Sequence, residues 1–295
     1  MTAPPSGAAP VAGCSVFPAD DYWHADVSTL PVDPRSAIWL AHMSTDVDLH
    51  PDFGGPYGIP VTVVRRTHPR VHVGFDSAAE SDHVRYPLGR DTRIEGGRAS
   101  TGDRHAIVVD RDRCTLYETW ATTFAHGRWH AGSGAVWSLR SERLRPDGWT
   151  SADAAGLPIL PGLLRWKEVR SDRIDHAIRF TTDATSAAHL WPARHDAGTG
   201  PITALPPMGA RFRLSASYDA TGLSTYAQRV VAAMKTYGLV LADNGSPWFF
   251  QGEQNPHWPA DLVADLKTIP ASAFVAVDTS SLEVDPDSGQ SRAVR

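Results

Sequence analysis

His105-Ala106-Ile107-Val108-Val109-Asp110-Arg111-Asp112-Arg113-Cys114-Thr115-Leu116-Tyr117-Glu118-Thr119-Trp120 is the stretch on which the fold class turns. Both halves alternate with period two and are rich in β-branched and aromatic residues, which fit a pleated, half-buried strand. The four charged residues 110–113 between them are turn-like, so the stretch predicts a hairpin. Outward from it, residues 134–139, 175–180 and 210–216 show similar patterns and predict three more strands. Residues 57–64 and 70–75 are two earlier candidates. Residues 239–242 and 248–250 read as a late pair around the turn Asp243-Asn244-Gly245.

Prolines (23) and glycines (24) punctuate the chain of 295 residues so often that few runs are long enough for long helices. Three helices are expected. Asp33 caps one that starts at Pro34 and runs to about Met43. Ser224 caps one through Tyr237, closed by Gly238, with Ala227, Val230, Val231, Met234 and Tyr237 as its apolar stripe. Residues 259–267 form the third. The expected class is mostly β, a β-sandwich or jelly-roll with a few peripheral α-helices. Residues 1–13 read as a disordered tail, 14–282 as a single β-rich domain, and the polar residues 283–295 as a second disordered tail.

The composition, 42% hydrophobic and 21% charged, excludes a chain too polar to build a core. A net charge of -5 with no basic block argues against a nucleic-acid partner. No apolar run approaches the roughly 20 residues of a membrane-spanning helix. The two cysteines, Cys14 and Cys114, read as a disulfide or as two free thiols; the disulfide is the expectation and points to a secreted or extracytoplasmic protein. Val11-Ala12-Gly13-Cys14 looks like a lipoprotein cleavage box without the apolar stretch that should precede it, and we read it as the remnant of an export signal.

Three ionisable residues interrupt apolar strand faces. By i, i+2 spacing, His105 shares a face with Ile107 and Val109, Glu118 with Leu116 and Trp120, and His176 with Ile178 and Phe180. A buried ionisable group needs a partner, a hydrogen bond or a solvated cavity. One reading makes these faces the wall of a pocket, with Glu118 as an acid/base group of raised pKa. The other puts each residue at a strand end, where the face emerges into solvent; this suits His105 and His176 better than Glu118, which is mid-run. Hydrolysis of a glycosidic bond needs a second carboxylate. Asp103 ranks first, near His105 and able to orient it. Asp243 (otherwise a turn residue) and Asp153 (otherwise in the first turn of a short helix) follow.

Ten tryptophans suit stacking on sugar rings, although core packing accounts for most indoles. Trp120, Trp137 and Trp149 are the candidate substrate platforms, with Trp149 in the turn Pro146-Asp147-Gly148 hardest to bury. Arg211 and Arg213 share the polar face of a strand and could hold an anionic substrate, or simply face solvent. His195 is a further candidate binding residue. His105, His176 and His195 with Glu118 could bind a divalent metal, but the spacing matches no strong metal motif, so neither metal nor other cofactor is expected. Lys235 or Tyr237 could serve as the base of a lyase; core packing and a favourable helix terminus explain them as well. Gly-x-Ser-x-Gly, phosphate-loop, dinucleotide and His-Glu-x-x-His motifs are absent.

Cys14-Ser15-Val16-Phe17-Pro18-Ala19-Asp20, the stretch from Arg145-Pro146-Asp147-Gly148-Trp149-Thr150-Ser151-Ala152-Asp153 to Pro158, and Tyr237-Gly238-Leu239-Val240-Leu241-Ala242-Asp243-Asn244-Gly245 resemble segments of uncharacterised secreted bacterial proteins. The resemblance spans most of the chain. It implies export and a single domain, and transfers no activity. The functional expectation is an extracytoplasmic glycoside hydrolase acting on an oligo- or polysaccharide through paired carboxylates. The alternatives are a non-catalytic carbohydrate-binding protein, a polysaccharide lyase and a His-liganded metalloenzyme.

Overall fold

The structure, a computed structural model, describes residues 10–293. In chain order its strands are β1 (His50–Asp52), β2 (Val61–Val64), β3 (Val73–Phe75), β4 (Ala106–Asp110), β5 (Thr115–Trp120), β6 (Thr123–Ala125) and β7 (Arg128–Ala131). They continue with β8 (Ser133–Ser138), β9 (Ile178–Thr182), β10 (Arg211–Leu214), β11 (Leu239–Asn244), β12 (Phe249–Gln251) and β13 (Phe274–Val277). The α-helices are α1 (Ser36–Leu40), α2 (Trp166–Ser171), α3 (Thr225–Thr236) and α4 (Ala260–Leu266). The protein is β-rich with few helices, as its sequence predicts.

The hairpin forms as β4 and β5, antiparallel, with Val108 opposite Tyr117. Its turn is organised by Asp110, whose Oδ1 accepts from the backbone N–H of Asp112 (3.1 Å) and Arg113 (3.2 Å). β2 and β8 flank the hairpin in a four-stranded sheet, β2-β4-β5-β8. A three-stranded sheet has the order β3-β7-β6. The largest sheet has the order β1-β12-β9-β11-β10-β13.

β11 reads Leu239-Val240-Leu241-Ala242, all buried, as expected of a strand covered on both faces. It runs parallel to β9. The expected late hairpin therefore does not form: β9 lies between β11 and β12. The chain leaves β11 after Asn244 and crosses the end of β9, where Gly245 N–H donates to Thr182 O and Trp248 N–H to Thr181 O. Parallel pairs also join β1 to β12, β2 to β4 and β3 to β7, whereas a jelly-roll is antiparallel throughout.

α3 matches its expected span and buries Ala227, Val230, Val231 and Met234. α4 follows Pro259 as expected. α1 is shorter than expected, and Asp33 Oδ1 accepts from Arg35 N–H just ahead of it. Cys14 and Cys114 form a disulfide that staples the N-terminal segment to the β4–β5 turn. Among the described residues no helix is long and apolar enough to cross a membrane.

The expected N-terminal tail lies outside the described residues for positions 1–9; Val11 and Cys14 exchange backbone hydrogen bonds. Residues 283–293 are pinned to the body rather than loose. Gly289 N–H donates to Glu142 O (2.6 Å), Tyr22 N–H to Gly289 O (2.8 Å) and Ser291 N–H to Asp20 O (2.7 Å). Their polar side chains suggest a tail in the sequence, but it is their backbone that makes the contacts.

Candidate functional site

The face of the large sheet on which Arg179 lies carries a row of polar side chains. Residues paired across strands share a face, as do residues two apart along a strand. Asp52 of β1 is opposite Gln251 of β12, and Phe249 of β12 is opposite Thr181 of β9. Arg179 is two residues from Thr181. Asp243 of β11 joins this row through a bulge. The register pairs Leu241 with Phe180 and then Asp243 with Thr181, leaving Ala242 unpaired. Were Ala242 paired in regular register, Asp243 would sit on the apolar face with Leu241 and Phe180.

These six residues line a pocket of about 250 Å³, together with Ile59, Glu95, Asp103 and His105 from the segments leading into β2 and β4. Arg179 is 2% exposed and holds one side of it together. Its Nε donates to Asp153 Oδ2 (3.0 Å), Nη2 to Asp153 Oδ1 (2.6 Å) and Nη1 to Gln251 Oε1 (2.6 Å). Asp243 Oδ2 lies 3.7 Å from Arg179 Nη2, and its side chain is one-quarter exposed (25%). Burial, and then the charge of Asp153 to which Asp243 is also hydrogen-bonded, push its carboxyl up to about 8, against the pull of Arg179. Asp243, the member of the two that faces the pocket, is thereby the carboxyl that keeps its proton near neutrality.

His105 is buried between two acceptors. Nδ1 lies 2.6 Å from Glu95 Oε2 and Nε2 lies 3.2 Å from Ala152 O. A carboxylate and a carbonyl can only accept, so both ring nitrogens carry protons and the ring is an imidazolium. Burial opposes that charge, but the hydrogen bond and charge of Glu95 outweigh it and push the ring up to about 9. Reciprocally, His105 holds Glu95 below its ordinary value despite burial. Burial, then the charges of Glu95 and Asp103, raise Asp52. Glu95, Asp103 and His105 place one potential metal ligand each within 4.8 Å of one another. A metal there would have to displace a proton and the Glu95 contact from His105.

Asp103, His105 and Asp243 thus line one pocket. Glu118 does not join them. It is fully buried, with Oε2 accepting from Ile159 N–H and Oε1 from Leu160 N–H, both at 2.8 Å. Burial raises its carboxyl to about 7, against those two bonds. It anchors the start of the short 3-10 turn Leu160–Gly162 and is absent from the lining of this pocket, so it is not positioned beside the carboxyls it was expected to pair with. His176 is also enclosed, with Nδ1 2.7 Å from Ala177 O and Nε2 3.2 Å from Glu168 Oε2.

Arg211 and Arg213 lie outside this pocket, with their guanidinium groups engaged by backbone carbonyls. Arg211 Nε, Nη1 and Nη2 donate to the carbonyls of Tyr237, Tyr22 and Ala25, and Arg213 Nη1 to those of Val27 and Leu30. Their face is covered by segment 22–30, whose carbonyls need donors once water is gone. Lys235 Nζ likewise donates to Tyr218 O (2.6 Å). His195 Nδ1 lies 2.8 Å from Ala154 O, outside the pocket lining. Trp137 and Trp149 meet in a separate groove, with the Arg145 guanidinium 5.7 Å and 5.4 Å from their ring centroids. Trp120 is exposed and lies over Gly132.

Sequence reasoning missed Asp52, Glu95, Arg179 and Gln251, and weighed Asp153 only as a partner for Glu118. Arg179 carried a signal: it is a cation set between Ile178 and Phe180 within a strand. Comparison with protein-family models, with curated proteins and with solved structures finds no match.

Proposed function

We propose that the pocket is the acid/base site of an extracytoplasmic glycoside hydrolase. The observation that carries this reading is the meeting in one cavity of Asp243, whose carboxyl burial and Asp153 push up to about 8, with the further carboxyl groups of Asp52, Asp103 and Glu95. Asp243 would donate its proton to the leaving-group oxygen. Asp52, whose carboxylate has no hydrogen-bond donor among the described residues, would act on the anomeric carbon directly or through water. Asp103 is the reserve for that role. Burial and Asp153 hold the proton on Asp243, while Arg179, which pulls the other way, fixes Asp153 in place; Glu95 and His105 form a fixed ion pair beside them. Divergent carboxyl environments of this kind separate an acid from a base. The volume lies below the roughly 300–1,000 Å³ of drug-sized ligand sites, which suits one sugar residue. The Cys14–Cys114 disulfide is compatible with an oxidising compartment.

The test is turnover of a panel of oligosaccharides by the wild-type protein, Asp243→Asn and Asp52→Asn. Cleavage by the wild type and its loss in both variants support the assignment. Cleavage that survives in Asp243→Asn overturns it. A second reading, sugar binding without turnover, rests on the groove of about 370 Å³ that brings together Trp137, Trp149 and Asp82. It requires binding that survives both substitutions and is lost in Trp149→Ala.

A further inference from the structure

The charges in the pocket are unequally matched. Arg179 is neutralised by Asp153, which takes two of its hydrogen bonds. His105 is neutralised by Glu95 at 2.6 Å. Both cations in the pocket lining are therefore already committed to a closer carboxylate, and the carboxyls of Asp52 and Asp103 form no salt bridge among the described residues; Arg179 acts on Asp52 only at longer range, and Asp103 lies within 4.8 Å of the His105 ring that Glu95 already holds. The neighbouring donors are also committed. Thr181 Oγ1 donates to Ser246 O, and Asn244 Nδ2 to Ala197 O.

A second feature marks the same space as a ligand site. Gln251 is 7% exposed, and its Oε1 is fixed by Arg179, which sets the orientation of the amide. Its Nε2 has no acceptor among the described residues, and it is not among the side-chain atoms sealed from solvent without a partner. A buried amide held by one end, with its donor end unused, suits the hydroxyl of a bound molecule.

We infer that the ligand of this pocket carries a primary ammonium group on a polyhydroxylated ring, an amino sugar with its amine free, with Asp52 and Asp103 receiving the ammonium and Gln251 a ring hydroxyl. This rests on the glycoside hydrolase reading of the same site and deepens it by naming the substrate class. A uronate or sulfated sugar would bring a like charge against two unmatched carboxylates and find no free cation. An N-acetylated sugar would lose the charge and present an added acyl group to a small cavity. The solvent-screened attraction of a single ammonium for one half-buried and one exposed carboxyl group corresponds to a preference of roughly ten-fold.

Binding to the Asp243→Asn protein, measured by calorimetry at pH 6, separates recognition from turnover. The probes are a glucosamine trimer, its fully N-acetylated counterpart, a glucuronate-containing trimer and 1,3-diaminopropane. The glucosamine trimer is expected to bind at least ten-fold more tightly than each of the others, and to lose that margin in Asp52→Asn/Asp103→Asn on the same background. Equal binding of the free and acetylated trimers overturns the inference, as does failure of every probe to bind. Diaminopropane binding as tightly as the trimer overturns the sugar as the source of the amine. Wild-type cleavage of neutral glycans without a preference for the amine overturns the inference and leaves the hydrolase reading standing. Selective binding of the glucosamine trimer, with no cleavage of any glycan by the wild type, does the reverse.

Discussion

Asp153 holds the guanidinium of Arg179 through both of its oxygens, and burial together with the charge of Asp153 keeps a proton on Asp243. The first of these contacts is buried, and the second opens onto the pocket. Stability and chemistry are therefore tied to the same guanidinium, and the consequences of substitution differ according to which side of it is cut.

Asp243→Asn removes the proton donor and preserves side-chain volume and a hydrogen bond to Asp153. Turnover is expected to fall by about 10²–10⁴-fold, the usual worth of a positioned acid. Steady-state kinetics with circular dichroism checks this, with a near-native spectrum expected beside the loss of rate.

Arg179→Met cuts the buried side. It leaves Asp153, whose side chain is inaccessible, without its cation. Removing one partner of such a pair costs about 3–5 kcal/mol. Urea unfolding should show that loss, and a midpoint close to that of the wild type would refute the assigned pairing.

pH acts in one direction on two of the groups in the pocket. Asp243 is raised from an ordinary 3.8 to about 8, so the folded protein keeps a proton that the unfolded chain has lost. Its contribution is complete below about 4 and is lost as pH rises through about 8. His105 is raised from 6.5 to about 9, so its contribution is complete below 6.5 and lost through about 9. Thermal midpoints are expected to decline from pH 6.5 to 9. In Glu95→Gln, which removes the support of the imidazolium, the part due to His105 should move to lower pH. The rate profile should lose activity on its alkaline side near pH 8, as Asp243 ionises.

Glu118→Gln tests a structural role. A glutamine can accept from Ile159 or Leu160 through its carbonyl oxygen, but it presents an NH₂ to the other backbone donor. A stability loss of about 1–3 kcal/mol is expected. The rate per folded molecule should remain within a few-fold of wild type. A loss of turnover without a loss of stability would restore Glu118 to the chemistry.

Cys14→Ser/Cys114→Ser opens a loop with a sequence separation of 100. Chain entropy gives a cost of up to about 4–5 kcal/mol. Chemical unfolding should report most of that loss, with secondary structure retained in the absence of denaturant.

The strands and the long helix were legible because their signals are local. The period-two runs at 106–110 and 115–120 and the stripe at 227–234 each depend on one element's own residues. The site was legible only in part. Asp103 and His105 stood out by proximity and spacing, but Asp243 reaches the pocket through the unpaired Ala242, and a period-two reading cannot locate a bulge. Glu118 misled because alternation identifies a buried carboxylate without saying whether water or two backbone amides meet it. Arg211 and Arg213 misled similarly: the strand shows their face, and nothing in it shows that segment 22–30 lies over that face.

The seam between segment 20–22 and segment 289–291 brings the beginning and end of the described chain alongside each other. That neighbourhood makes the protein a natural subject for circular permutation. A flexible bridge could join the two segments of this seam, and new ends could be opened at the exposed Gly96-Gly97 bend, between strands rather than within one. The rearranged molecule would still close the same sheets, and its breakpoint would lie beside Glu95, giving a direct handle on access to the cavity.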